Sequence, residues 1–361
     1  MPNKETKNEA EKINLSELNE CIEKNRRNMI RTTNYDFLEK LSRLILRKIK
    51  FEKNANITLG MLFSREEAIS IVLKFFESLG NKQWYEQAKS IILGQNKDIS
   101  ISMFREKDIS DFSEKNRDGL YKYSYGSEVE QSQYNHNKAI VRVSLNEEFL
   151  GNEYCVPSDK FTIKDIYSIA HEISHTFDLG ENEDAVGKRQ LFSEINSYCF
   201  EKMLTEYLIN QNIISKKTRE IIEQRGIKNN FRHARTVCAK VNLIKFKEKE
   251  ESLTKENIKQ ILEKEGIKDP IYVQSMLKDV LISVPYIDYD ARYPIAMFAS
   301  HEYMKMYKKD KKQAIENLTK YCEAIKKGDT SVEVLKLVGC PVNIEEIEEV
   351  ANDIIDTRCR E

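Results

Sequence analysis

The segment Asp165–Gly180, "DIYSIAHEISHTFDLG", decides how the rest of the chain is read. On an α-helix, residues four apart lie one above the other on a single face. His171 and His175 therefore aim two imidazoles at one point, as two ligands of a tetrahedral zinc ion must. Glu172 sits about 100° around the helix from His171, where it can reach a water on that ion without becoming a ligand. Ile166, Ile169, Ile173 and Phe177 recur at helical spacing and give the segment an apolar face, and Thr162 is the expected N-cap.

Two histidines leave a third protein ligand to find, and no further histidine follows closely. The acidic candidates are Asp178, Glu181, Glu183, Asp184 and Glu194. Asp178 lies one turn beyond His175, better placed to orient a ligand than to complete a tetrahedron. Glu194 stands near the start of "SEINSYCFEKMLTEYL", a second helical segment joined by a loop long enough to bring the two helices antiparallel. Glu194, Ser197 and Glu201 fall at i, i+3 and i+7 and share a face. Glu194 is thus the favoured third ligand, with Ser197 and Glu201 placed to hydrogen-bond around the ligands. HEISH alone can arise by accident in an amphipathic helix; the second helix is what favours the metal reading.

The 361 residues, 40% hydrophobic and 32% charged, suffice for one large domain or two lobes. A net charge of -1 argues against a nucleic-acid partner, which needs a basic surface to neutralise phosphates. The 7 cysteines are scattered and form no CxxC, which fits reduced thiols in a cytoplasmic protein better than a disulfide framework or a thiolate zinc site. The N-terminal stretch "MPNKETKNEAEKINLSELNE" has no apolar core of a signal peptide, and no run is long enough to span a bilayer. The expectation is a cytoplasmic protein without a membrane partner.

With 12 Gly and 6 Pro in a Lys/Glu/Ile/Leu-rich chain, the fold class expected is mainly α with a small antiparallel β-sheet, an α+β arrangement. Helical spacing runs through "LSELNECIEKNRRNMI" and "YDFLEKLSRLILRKIKF". It continues in "SREEAISIVLKFFESLG", capped by Ser64 and stopped by Gly80, and in "QWYEQAKSIILG", which ends at Gly94. Between about residues 98 and 146, "DISISMF", "GLYKYSYG" and "KAIVRVSLN" alternate apolar and polar residues as half-buried strands do. The strand "AIVRVSLN" ends about twenty-five residues before His171, where zinc peptidases commonly place the sheet edge that pairs with an extended substrate. Helical periodicity then returns and dominates to the C-terminus.

HEISH followed by Glu194, Ser197 and Glu201 resembles the zinc peptidases of the thimet oligopeptidase and oligoendopeptidase F family, whose motif is HExGH and then Glu-x-x-Ser-x-x-x-Glu. Tyr289, Asp290, Ala291 and Tyr293 match that family's tyrosine-rich segment, and "GDTSVEVLKLVGCPVNIEEIEEV" is similar to the oligoendopeptidase F tail. The resemblance covers about residues 60–355. It implies a zincin-like gluzincin catalytic domain over 57–361, its active-site helix beside a sheet edge, preceded by a polar tail and helical segment at 1–56. It implies one zinc ion per chain on His171, His175 and Glu194, with Glu172 as general base and a peptide substrate. Tyr293 first and Tyr289 second would donate hydrogen bonds to the oxyanion, with Asp178, Ser197 and Glu201 around the ligands.

The chain departs from that pattern at Ser174, where the family has glycine, and at Asp178, where a histidine is frequent. No histidine precedes the tyrosine segment in "LISVPYIDYDARY", and Ala296 stands where thimet-type enzymes place another tyrosine. These groups serve substrate binding and the transition state, so the departures bear on rate and substrate class more than on metal binding. Two other readings remain: an endoproteinase dedicated to one protein, and a non-catalytic peptide-binding module on a peptidase scaffold. Retention of Glu172 speaks against the module, which has no need of a base.

Overall fold

A computed structural model describes residues 35–49, 61–105, 128–131, 138–145, 149–150, 153–154, 159–249, 254–267 and 287–360. The expected strand "GLYKYSYG", the expected helix "LSELNECIEKNRRNMI" and His136 lie outside the described residues.

Helix α1 (Tyr35–Lys48) precedes strand β1 (Leu62–Ser64), which runs directly into α2 (Arg65–Ser78), and α3 (Lys82–Ile92) follows. Six strands come next: β2 (Ile99–Arg105), β3 (Glu128–Gln131), β4 (Ala139–Leu145), β5 (Phe149–Leu150), β6 (Glu153–Tyr154) and β7 (Lys160–Thr162). The remainder is helical. It comprises α4 (Ile163–Ser174), α5 (Glu183–Arg189), α6 (Ser193–Asn210), α7 (Lys216–Lys249), α8 (Lys255–Lys264), α9 (Ile287–Lys309), α10 (Lys311–Lys326), α11 (Val332–Lys336) and α12 (Ile344–Arg360). Two 3-10 turns, His175–Asp178 and Gln190–Phe192, interrupt it. The chain is therefore mainly helical with little sheet, as its composition predicts. Among the described residues no helix is long and apolar enough to cross a membrane.

Local chemistry sets the element ends. The Ser64 hydroxyl accepts from the Glu67 N–H at 3.1 Å and the Glu67 carboxylate accepts from the Ser64 N–H at 2.7 Å, a reciprocal cap that starts α2. Just beyond α2 and α3, Gly80 and Gly94 take φ of 74° and 66°, a left-handed backbone that carries a steric penalty for side chains other than glycine.

The largest sheet differs from the expected antiparallel one. Its order is β2-β4-β3, with β4 antiparallel to β3 and parallel to β2. Strand β4, expected as a sheet edge, is the central strand: from Ala139 to Arg142 it is paired on both sides. Its free hydrogen-bonding groups are used internally there, so no extended peptide can add to that stretch. The remaining strands form the two-stranded antiparallel pairs β1-β7 and β5-β6.

The chain divides into two compact units, the first within Met1–Lys50, Ile227–Pro294 and Asn343–Glu361, the second within Phe51–Gly226 and Ile295–Val342. In the first, α1 packs on α12, and Arg43 grips the buried Glu265 carboxylate with two nitrogens, at 2.6 and 2.7 Å. In the second, α4 packs on β4 and on α6. Its core gathers Phe75 and Phe76 of α2, Trp84 of α3, Phe177 of the 3-10 turn His175–Asp178 and Phe200 of α6, all buried. Trp84 stacks on Phe177 with centroids 5.6 Å apart, and Phe200 meets Trp84 at 4.9 Å and Phe177 at 5.4 Å. Burying such a ring contributes about 1.5–3 kcal/mol. Phe177 lies two residues past His175 and Phe200 immediately precedes Glu201, so this cluster anchors the backbone on which those side chains stand.

Candidate metal centre

Helix α4 starts at a reciprocal cap. The Thr162 N–H donates to the Asp165 carboxylate at 2.6 Å, and the Asp165 N–H donates to the Thr162 hydroxyl at 3.3 Å. The helix ends at Ser174, and His175 opens the 3-10 turn while its N–H still bonds the His171 carbonyl. The connection to α6 is the short helix α5 flanked by 3-10 turns rather than a plain loop. Helix α6 carries buried residues all round it, among them Ile195, Cys199, Phe200, Leu204 and Leu208, so it is a core helix.

Helices α4 and α6 run antiparallel and are joined by three polar rungs. Tyr167 Oη meets Thr205 Oγ1 at 2.8 Å, His171 Nδ1 meets Glu201 Oε1 at 2.6 Å, and Asn196 Nδ2 donates to the Ser174 carbonyl at 2.6 Å. As the number rises along α4 it falls along α6, which is the register that brings Glu194 to the histidines.

His171 Nε2 lies 3.1 Å from His175 Nε2 and 3.3 Å from Glu194 Oε2, and His175 Nε2 lies 3.7 Å from the same oxygen. Ligands about 2.0–2.1 Å from a tetrahedral zinc stand about 3.3–3.4 Å apart, so two imidazole nitrogens and one carboxylate oxygen at these separations fit a single cation. His175 and Glu194 are buried at 7% and 3% exposure. Burial works to lower the pKa of His171, yet the Glu194 and Glu201 carboxylates hold it well above the usual histidine range. Two carboxylates thus favour positive charge on His171. Among the described residues His171, His175 and Glu194 form a group able to hold a metal ion.

Glu172 and Ser197 lie beside this trio, whereas Asp178, expected to orient a ligand, finds its partner in Arg189. Glu172 is 4% exposed and its Oε1 lies 3.9 Å from His171 Nε2, beside the trio and outside it. Ser197 Oγ donates to the Glu194 carbonyl at 3.1 Å and lies 3.4 Å from its Oε2. Asp178 is completely buried and pairs with Arg189 at 3.2 Å. Burial pushes the Asp178 pKa up to about 6 in spite of Arg189. Ser174, in the glycine position, returns its hydroxyl to the His171 carbonyl at 2.6 Å. Glu181, Glu183 and Asp184 are exposed, and Asp184 pairs with Lys188.

Tyr289 and Tyr293 belong to the first unit, at the start of α9. Tyr293 stacks on His233 of α7 with ring centroids 4.0 Å apart, and Arg292 Nη2 donates to its hydroxyl at 3.0 Å. Arg292 also lies 4.0 Å from the centre of the Tyr289 ring, which is 47% exposed. His233 Nδ1 donates to Asp290 Oδ1 at 3.0 Å, and the buried Lys240 binds the other oxygen. Burial works to raise the Asp290 pKa, but His233 and Lys240 hold it below the usual range. Sequence reasoning missed Asn196, Arg189 and His233, because no spacing motif marks a side chain whose partner is set only by helix packing.

The chain has the mainly helical fold of the oligoendopeptidase F-like peptidases. Three solved structures carry the likeness. A "putative peptidase" from Chlamydophila abortus is 16% identical with a TM-score of 0.50, covering 95% of this chain and 55% of its own. A "putative oligoendopeptidase F" is 10% identical with a TM-score of 0.56, covering 94% and 57%. A PZ peptidase A, solved with an inhibitor, is 11% identical with a TM-score of 0.52, covering 94% and 58%. The chain thus spans little more than half the length of each. No family model and no curated protein matches it.

Proposed function

We propose that the chain is a zinc-dependent metallopeptidase that hydrolyses peptide bonds with His171, His175 and Glu194 as metal ligands. The observation that carries this reading is the trio itself, three ligand atoms at tetrahedral-edge separations with a buried carboxylate alongside. A bound zinc ion supplies Lewis-acid polarisation of a water and of the scissile carbonyl. Glu172 takes the proton from the attacking water and hands it to the leaving amine, a task suited to a buried carboxylate next to the ligands. Glu201 accepts from His171 Nδ1–H, which leaves the Nε2 lone pair aimed at the metal position. Ser197 steadies the Glu194 carboxylate. By resemblance, Tyr293 donates to the oxyanion and Tyr289 assists it.

The test is hydrolysis of an internally quenched peptide library by the purified chain, before and after chelation. Activity that is lost to the chelator and restored by one equivalent of zinc supports the proposal. Activity that survives complete metal removal overturns it.

A further inference from the structure

We propose that Asn196 is a positioning residue of the metal centre, the clamp that fixes the break in α4 from which His175 projects. The inference rests on the zinc-site reading above.

The last carbonyls of an α-helix have no partner four residues on, and a buried helix end must find partners elsewhere. The ligand helix ends between its two histidines' turns: Ser174 is the last α-helical residue and His175 the first of the 3-10 turn. At this break the His171 carbonyl accepts from the Ser174 hydroxyl at 2.6 Å. The Ser174 carbonyl stands immediately before His175. It accepts from Asn196 Nδ2 at 2.6 Å.

Asn196 is fully buried and stands on α6, two residues after Glu194. The other end of its amide is also used, since Cys322 Sγ of α10 donates to Asn196 Oδ1 at 3.4 Å. One rigid side chain with two rotatable bonds therefore joins the backbone beside one histidine ligand to the helix that carries the carboxylate ligand, and ties both to α10. A metal site needs its ligands held within a fraction of an ångström. The rung at the far end of the same helix pair, Tyr167 to Thr205, joins α4 and α6 just as tightly but does not touch the break. That difference separates positioning of the metal from mere support of the helix pair.

The experiment is an equilibrium zinc titration of the full chain against a chromophoric chelator, with the visible spectrum of the cobalt-loaded protein as a second readout. Wild type, Asn196→Leu, Asn196→Ala and Thr205→Val are compared, and urea unfolding of the metal-free proteins reports their stability. Both Asn196 variants should bind zinc about ten-fold or more weakly, on the scale seen for residues that orient ligands, and shift the cobalt bands. Thr205→Val should bind within about two-fold of wild type despite a similar loss of stability. Asn196 variants that match Thr205→Val in affinity and spectrum overturn the proposal. If neither Asn196 variant folds, Cys322→Ala carries the test: it frees one end of the amide, and unchanged affinity and spectrum overturn the proposal. Wild type that binds no zinc sinks the metal-centre reading itself, and the clamp falls with it.

Discussion

His171 Nδ1 lies 2.6 Å from a carboxylate oxygen of Glu201, thirty positions along the chain and on the neighbouring helix. On the zinc-site reading, Nδ1–H donates to Glu201 and Nε2 is left to face the metal position. A carboxylate in this position also raises the basicity of the ligand nitrogen. Replacing Glu201 by Gln keeps the shape and removes the charge. The expected result is zinc affinity weakened about 10–100-fold, equivalent to about 1.4–2.7 kcal/mol, with the fold retained. A competitive zinc titration checks this, and unchanged affinity would show the contact to be incidental.

Asp178 gives a pH signature. Its carboxyl is pushed up to about 6 by burial, against the pull of Arg189, from the ordinary value of 3.8. The folded state therefore binds this proton more tightly than the unfolded chain does, so the group's contribution rises as pH falls through about 6 toward 3.8. Above that window the ionised carboxylate costs stability. Lowering the pH from 7.5 to 5 should stabilise wild type by about 1 kcal/mol more than Asp178→Asn, whose side chain does not titrate. Urea unfolding at the two pH values measures the difference. Equal responses in the two proteins would place the Asp178 pKa in its ordinary range.

Tyr293 tests the part of the account carried by resemblance. If its hydroxyl donates to the oxyanion, Tyr293→Phe should lower kcat about 10²–10³-fold, or about 2.7–4 kcal/mol, with zinc content unchanged. A variant with wild-type kcat would remove the oxyanion role and leave Tyr293 its contacts with His233 and Arg292.

The aromatic cluster behind the ligands sets a stability prediction. Phe200 is fully buried against Trp84, Phe177 and Phe76, so Phe200→Ala should cost about 3–5 kcal/mol. Leu93, 49% exposed, is the contrasting site, and its change to Ala should stay within about 0.5 kcal/mol. Denaturant midpoints separate the two.

Much of the fold and of the candidate site was legible in the sequence because it depends on short-range spacing. The i, i+4 pair His171 and His175, the i, i+3, i+7 set on α6, and the caps at Ser64 and Thr162 are local geometry, and the structure places them accordingly. The parallel pairing of β2 with β4 was not legible, since alternation tells which face a residue takes and not which strand lies beside it. The same limit hid Asn196, Arg189 and His233. His233 and its partner Asp290 are 57 positions apart, and only helix packing brings them together.

The most direct measurement is digestion of a diverse synthetic peptide mixture by the zinc-loaded chain and by Glu172→Gln, read by mass spectrometry. The account predicts new peptide ends with wild type and none with the variant, although both carry one zinc. Cleavage by both proteins at similar rates, or by neither with zinc bound, would contradict the assignment of Glu172 as the base of a peptidase.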